Sequence, residues 1–209
     1  MDQLFSLSLR RIIDRRSKLV LSILLAFTLG GCLSAGEGGG ALGEAGPRES
    51  YPESGFGTEE GDRLQNLEFV RPNGDPFELS EIFADTQSRL LLITTSAEWC
   101  AACIKEQPLL QSLYEEYRSE GLEILVVLFE DVDEEPAQAR NAEVWRERYG
   151  LSYPVVADPT SPSHFADYYD TRLTPMVMFV VVDEMEILTI NQGFDESAAR
   201  SIIRSKLGL

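Results

Sequence analysis

The stretch from Arg89 to Phe129 constrains the fold more than any other: RLLLITTS, then AEWCAACIKEQPLLQSLYEEYR, then LEILVVLF after a short connection. Arg89–Ser96 and Leu122–Phe129 are near-continuous apolar runs of strand length, the pattern of strands buried on both faces. Between them Leu109, Leu110, Leu113, Tyr114 and Tyr117 recur at helical spacing, which predicts a helix over Cys100–Arg118. Strand, helix and strand in this order give two parallel strands joined by a right-handed crossover. The helix opens on cysteines at 100 and 103, so any chemistry of that pair sits where a strand turns into a helix.

The flanking segments complete a sheet. NLEFV, RPNGDPF and ELSEIF read as a strand, a hairpin turn at Pro72–Asp75 and a short helix. Glu135–Tyr149 runs from acidic to basic, as suits a helix dipole. Tyr153–Ala157 predicts a short strand, His164–Tyr169 a short helix and Met176–Val182 another buried strand. The turn DEME leads into ILTINQG, an antiparallel partner, and Asp195 caps a closing amphipathic helix. The expected class is α/β, a central mixed sheet flanked by helices, with an N-terminal β-hairpin and a strand-helix insertion in the middle. No internal repeat is present.

The first residues read as a targeting device. Arg10, Arg11, Arg15, Arg16 and Lys18 precede the apolar run Leu19–Leu29, which ends at Gly30 and Gly31 and is too short to span a bilayer comfortably. Residues 1–31 are thus expected to be a secretory signal. LGGC, ending at Cys32, resembles the lipobox of bacterial lipoproteins, which implies cleavage before Cys32, acylation of its sulfur and new amino terminus, and a lipid anchor to a bacterial membrane. The alternative is an uncleaved signal anchor. The Arg10–Arg11 pair is followed by residues that fit twin-arginine export poorly. Residues 33–61, rich in Gly, Glu, Ser and Pro, predict a flexible tether on the order of 30 Å long, leaving 62–209 as the folded domain.

With Cys32 lipidated in an exported, disulfide-permissive compartment, Cys100 and Cys103 have only each other. A bridge across four residues closes too small a loop to stabilise much, which argues against a structural staple. The chain carries 35 acidic and 18 basic residues, a net charge of −17, and loss of the signal deepens that excess. Nucleic acid and anionic lipid surfaces are therefore excluded as partners.

At the start of a helix, the Cys100 sulfur faces unpaired backbone N–H groups and the positive end of the dipole, which favour thiolate over thiol. Cys103, one turn further in, is close enough to resolve a mixed disulfide. Cys100 is the expected nucleophile and Cys103 the resolving thiol.

AEWCAACIKEQP resembles the active-site helix of thioredoxin-fold oxidoreductases, with Trp99 before the nucleophile and Pro108 eight residues after it. The hairpin, the insertion between Phe129 and Pro175, and KEQP at Lys105–Pro108 resemble the TlpA-like membrane-anchored thiol:disulfide oxidoreductases. The resemblance covers essentially everything from Asp62 onward. It implies a thioredoxin-like fold, a Cys100–Cys103 disulfide in place of any cofactor, and no metal. It further implies clients among exported protein thiols and disulfides, apocytochrome c thiols included, a membrane electron donor, and a monomer at the periplasmic or extracytoplasmic face. Pro175 in LTPMVMFVV stands just before a buried strand, a place proline tolerates only at a strand start or tight turn. By resemblance it is the fold's cis-proline, with Thr174 offering its backbone to an extended substrate segment.

Two departures from that pattern matter. Thioredoxin has a buried aspartate six residues before its nucleophile, where this chain has Thr94. Glu106, a turn past Cys103, is the replacement base, a solvated helix glutamate being the other reading. Ala101–Ala102 supplies neither the proline of thioredoxin nor the histidine of strong oxidants, which points to a reducing couple.

Other readings fit less well. A zinc site needs four ligands, and this chain offers one cysteine pair and the single histidine His164. Haem attachment would need histidine where Ile104 stands, and copper-carrying relatives use a wider cysteine spacing. A cysteine protease lacks its base, and no glycine loop cradles phosphate. The strongest rival is a peroxiredoxin-like thiol peroxidase, but Glu98 and Trp99 precede Cys100 where that class places other residues. A non-enzymatic binding lipoprotein on the same fold leaves the dithiol without a purpose.

Overall fold

The computed structural model describes residues 41–43, 47, 48 and 50–209; the predicted signal and Cys32 lie outside the described residues. Seven strands form one mixed sheet in the order β2-β1-β5-β4-β3-β6-β7. They are β1 (Glu68–Val70), β2 (Pro76–Glu78), β3 (Leu90–Ala97), β4 (Leu122–Glu130), β5 (Val155–Ala157), β6 (Met176–Val181) and β7 (Glu186–Gln192). The helices are α1 (Leu79–Ala84), α2 (Ala101–Tyr117), α3 (Ala139–Tyr149) and α4 (Glu196–Leu207). Hairpin β1–β2 is antiparallel, β3 and β4 are parallel, and β6 runs antiparallel to both β3 and β7.

Every residue of β3 is buried because the sheet is covered on both faces. Leu90 and Leu92 pack with Leu110, Leu113 and Tyr117 of α2 and with Ile203 of α4. Leu91 and Ile93 point the other way, to Phe69, Phe83 and Phe165. Two cores thus share one strand, the period-2 consequence of a strand buried on both sides. The C-terminal end of that strand, where α2 begins, is held from above and below. Helix α2 closes with a tight turn at Arg118–Glu120 and Gly121 at φ 105°. There a side chain would also collide with Arg89, whose Cδ lies 2.8 Å from the position of a Cβ, so glycine alone fits.

Three expectations are corrected. Helix α3 starts at Ala139, four residues later than predicted, because Pro136 bridges back to Glu130 and Gln138 forms the cap in a reciprocal pair with Asn141. His164–Tyr169 is a run of turns instead of a helix. Its organiser is Asp158, fully buried, whose carboxylate accepts hydrogen bonds from the Thr160 N–H and hydroxyl, the Ser163 hydroxyl and the His164 N–H. A buried carboxylate must collect such donors, and local bonds of this kind displace the helical ladder.

The third correction concerns residues 33–61, expected as a tether throughout. From residue 47 much of this segment lies on the domain. The Arg48 guanidinium donates to the carbonyl oxygens of Phe83, Asp85 and Ser88 at 2.7, 2.8 and 2.5 Å and pairs with Asp183 at 2.7 Å. Tyr51 donates to the Leu64 carbonyl and tilts against Phe83. One arginine satisfies the open carbonyls where α1 ends, a role that bulk composition hides. Ser88 precedes β3 and Asp183 follows β6, so the strap is fastened at the pole of the sheet opposite α2's first turn. Among the described residues, no helix is long and apolar enough to cross a membrane.

Candidate active site

The Ala97 carbonyl accepts from the Cys100 N–H at 3.0 Å, turning the chain out of β3 and into α2. Cys100 is the N-cap: its sulfur accepts from the Cys103 N–H at 3.0 Å, and its carbonyl accepts the first helical bond, from Ile104. A cap that is a sulfur places that atom against the free N–H groups of the first turn, which stabilise negative charge there. Cys100 and Cys103 are disulfide-bonded, with sulfurs 2.12 Å apart. Cys103 is fully enclosed, while Cys100 keeps 4% of its surface exposed, so an incoming group reaches Cys100 first.

The loop before β6 closes the site. The Thr174–Pro175 peptide is cis. The Thr174 carbonyl oxygen lies 3.8 Å from the Cys100 sulfur and its hydroxyl 4.0 Å from the Cys103 sulfur. Trp99 is 41% exposed and its indole N–H donates to Glu130 at 2.9 Å, which fixes the ring beside Cys100. Leu173, also exposed, adds an apolar side chain beside Thr174.

Glu106 is inside the protein, not on a solvated helix face. Its Oε1 accepts from the Thr94 hydroxyl at 2.8 Å, and its buried Oε2 has no partner. Burial pushes its pKa up to about 8, opposed only by the Thr94 hydrogen bond, because an ion in an apolar site loses its hydration. The position where thioredoxin carries an aspartate is thus filled by a hydroxyl from β3 that holds a carboxyl returning from α2. The described structure therefore brings Cys100, Cys103, Trp99, Glu106, Thr94, Thr174 and Pro175 to one end of the sheet.

Sequence reasoning missed four buried polar residues around this end. Gln107 donates to the Cys103 carbonyl at 2.8 Å and accepts from the Tyr153 hydroxyl at 3.3 Å. Thr95 and Tyr169 meet through their hydroxyls at 2.6 Å. Gln107 alone left a signal, since it stands four residues from Cys103 and one before Pro108; the other three come from β3, from the approach to β5 and from the turns after Asp158.

Residues 61–190 match the model of the AhpC/TSA family. The thiol-disulfide oxidoreductase ResA of Bacillus subtilis is 28% identical over 134 residues, 64% of this chain and 68% of that protein. Among solved structures, a thiol:disulfide interchange protein from a Bacteroides species superposes with a TM-score of 0.55 at 14% identity, covering 72% of this chain and 93% of that one. The exposed lipoprotein thioredoxin Etrx1 of Streptococcus pneumoniae gives 0.51 at 21% identity, covering 67% and 98%. Likeness at such low identity speaks for the fold alone, and it is the matched span of 130 residues, β1 through most of β7, that decides the family: the chain belongs to the AhpC/TSA family, on a thioredoxin-like fold.

Proposed function

We propose that this chain is an exported thiol:disulfide oxidoreductase that reduces disulfides in other exported proteins. The observation that carries the reading is the disulfide between an N-cap cysteine and an enclosed second cysteine, seated under the Thr174 backbone. In the reduced protein the Cys100 thiolate attacks one sulfur of a client disulfide, forming a Cys100–client bond and releasing the other client sulfur as a thiolate. The Cys103 thiolate then attacks Cys100; the Cys100–Cys103 bond forms, and the second client sulfur leaves and takes up a proton. The client gains two electrons and the protein dithiol loses them. A membrane donor restores the dithiol. Glu106 receives the Cys103 proton, since a carboxyl that titrates near 8 is matched to a thiol in a way an ordinary glutamate is not. Thr174 pairs with the client backbone by strand addition, and Trp99 covers the client cysteine. Clients in cytochrome c maturation belong to this reading through the resemblance of KEQP and the central insertion to TlpA-like oxidoreductases. The protein acts as a monomer without a further cofactor.

The direction of electron flow follows from what surrounds Cys100. It has the helix start, but Ala101–Ala102 place no cation or histidine between the cysteines, so its thiolate is stabilised only in part. Equilibrating the chain with a dithiol buffer should give a potential nearer the thioredoxin end, about −270 mV, than the oxidant end, about −120 mV. A value near the oxidant end sinks the reductase assignment, and rapid Cys100-dependent consumption of peroxide would install the peroxidase in its place.

The reading includes an anchor at Cys32, supported by LGGC and the basic and apolar residues before it. Cells expressing Cys32→Ala should release a folded protein from their membrane fraction. Mutant protein still sedimenting with membranes, at an unchanged mass, would make the apolar run Leu19–Leu29 the anchor.

A further inference from the structure

Three hydroxyl groups stand in a closed triangle beneath the dithiol. The Thr95 and Tyr169 oxygens are 2.6 Å apart, and the Thr174 hydroxyl oxygen is 3.4 Å from each. Each comes from a different element: the end of β3, the turns that follow Asp158, and the residue before Pro175. Two further groups bear on how their hydrogens are shared. The Met176 N–H, which can only donate, is directed at the Thr95 hydroxyl oxygen at 3.1 Å. The Thr174 hydroxyl has two acceptors outside the triangle, the Thr95 carbonyl at 3.3 Å and the Cys103 sulfur at 4.0 Å.

A hydroxyl gives one hydrogen and accepts through two lone pairs. Thr95, with one acceptor site taken by Met176, has its hydrogen free for Tyr169 across the short contact, an arrangement that leaves Tyr169 to donate its own to Thr174. The Thr174 oxygen is then an acceptor within the triangle, and its hydrogen is left to turn outward. In the disulfide it meets the Thr95 carbonyl. Once the disulfide is reduced and Cys103 loses its proton, the sulfur becomes the stronger acceptor within reach, because bonds to ionised groups are about twice as strong as neutral ones.

We propose that Tyr169 and Thr95 are positioning residues of the dithiol, which aim the Thr174 hydroxyl so that it donates to the Cys103 sulfur when that sulfur is a thiolate. The proposal rests on the thiol:disulfide reading and adds the group that steadies the resolving anion. It complements Glu106: the carboxyl takes the proton from Cys103, and the hydroxyl chain holds the charge left behind. Tyr169 is suited to this because burial holds its pKa above the ordinary value, so its phenol keeps the hydrogen it must donate. The titratable groups facing this end of the sheet are Cys100 at the cap, Glu106 on α2, Tyr153 before β5 and Tyr169, with the charges of Glu130 and Asp158 acting on Tyr169.

The test titrates Cys103 in the reduced full chain carrying Cys100→Ser, through the pH dependence of its own assigned Cβ carbon resonance. Adding Tyr169→Phe, or Thr95→Val, should raise the midpoint by about one pH unit, the loss of one hydrogen bond to an ion. Thr95→Ser, which keeps the hydroxyl, should restore it. With Cys100 present, the same two changes should slow resolution of a mixed disulfide about tenfold and leave its formation unchanged. A merely structural tyrosine would lower the thermal midpoint and leave the titration where it was. An unshifted midpoint in both Tyr169→Phe and Thr95→Val, or a Ser variant indistinguishable from Val, overturns the proposal. If the unaltered chain reduces no protein disulfide, the functional reading fails, and the titration, which needs no client, still decides the role of the hydroxyls.

Discussion

Cys100→Ser abolishes reduction of protein disulfides, by about a thousandfold or more, while Cys103→Ala turns the chain into a trap that accumulates mixed disulfides through Cys100. The two variants differ in outcome because the two sulfurs differ in place. Cys100 caps α2 and keeps the only accessible edge of the disulfide, so without it there is no attack. Cys103 is enclosed and bonds back to Cys100. Without Cys103, attack proceeds and stops at the adduct. Neither change introduces bulk, so both variants should melt close to the reduced protein. Non-reducing gels and intact mass of the chain, incubated with an oxidised client protein, read both effects. Absence of client adducts in Cys103→Ala would show that exchange does not run through this pair.

Much of the site was legible because it is local. A buried strand running into a helix at C-x-x-C places Cys100 at a cap and Cys103 a turn later, whatever the rest of the chain does. The proline of LTPM announced itself through its conflict with a buried strand. What was not legible depends on contacts between elements distant in sequence. Thr94 and Glu106 stand twelve residues apart, and their meeting is fixed by how α2 folds back on β3. Thr95 and Tyr169 are separated by 74 residues, and Tyr169 reaches the sheet only because Asp158 gathers the chain after β5 into turns. That stretch, His164–Tyr169, misled periodicity for the same reason, since its geometry is dictated by a carboxylate outside it.

The strap illustrates a different limit. Composition averages over residues, and residues 33–61 are polar enough on average to predict a tether without structure. One arginine and one tyrosine suffice to lay much of its second half on the domain, because α1 ends in carbonyl oxygens that need donors. This attachment lies at the opposite pole from Cys100.

Glu106 joins stability to function with opposite signs, and this is measurable. Its carboxyl titrates near 8 in the folded chain against an ordinary 4.5. Between those values the folded protein keeps a proton that the unfolded chain has lost, so stability falls as pH rises through this window and is flat on either side. The loss amounts to roughly 5 kcal/mol above pH 8. Glu106→Gln keeps an oxygen to accept from Thr94 and has no charge to bury, so its unfolding free energy from urea titration of the disulfide form should match the parent near pH 4 and exceed it by that amount near pH 9. In exchange assays the same variant should resolve mixed disulfides more slowly at neutral pH, because an amide cannot take the Cys103 proton. A carboxyl kept in the core at such a penalty is what a proton acceptor for an enclosed thiol requires. Equal unfolding free energies for the two proteins at both pH values would show that Glu106 ionises as if in water and has no such part.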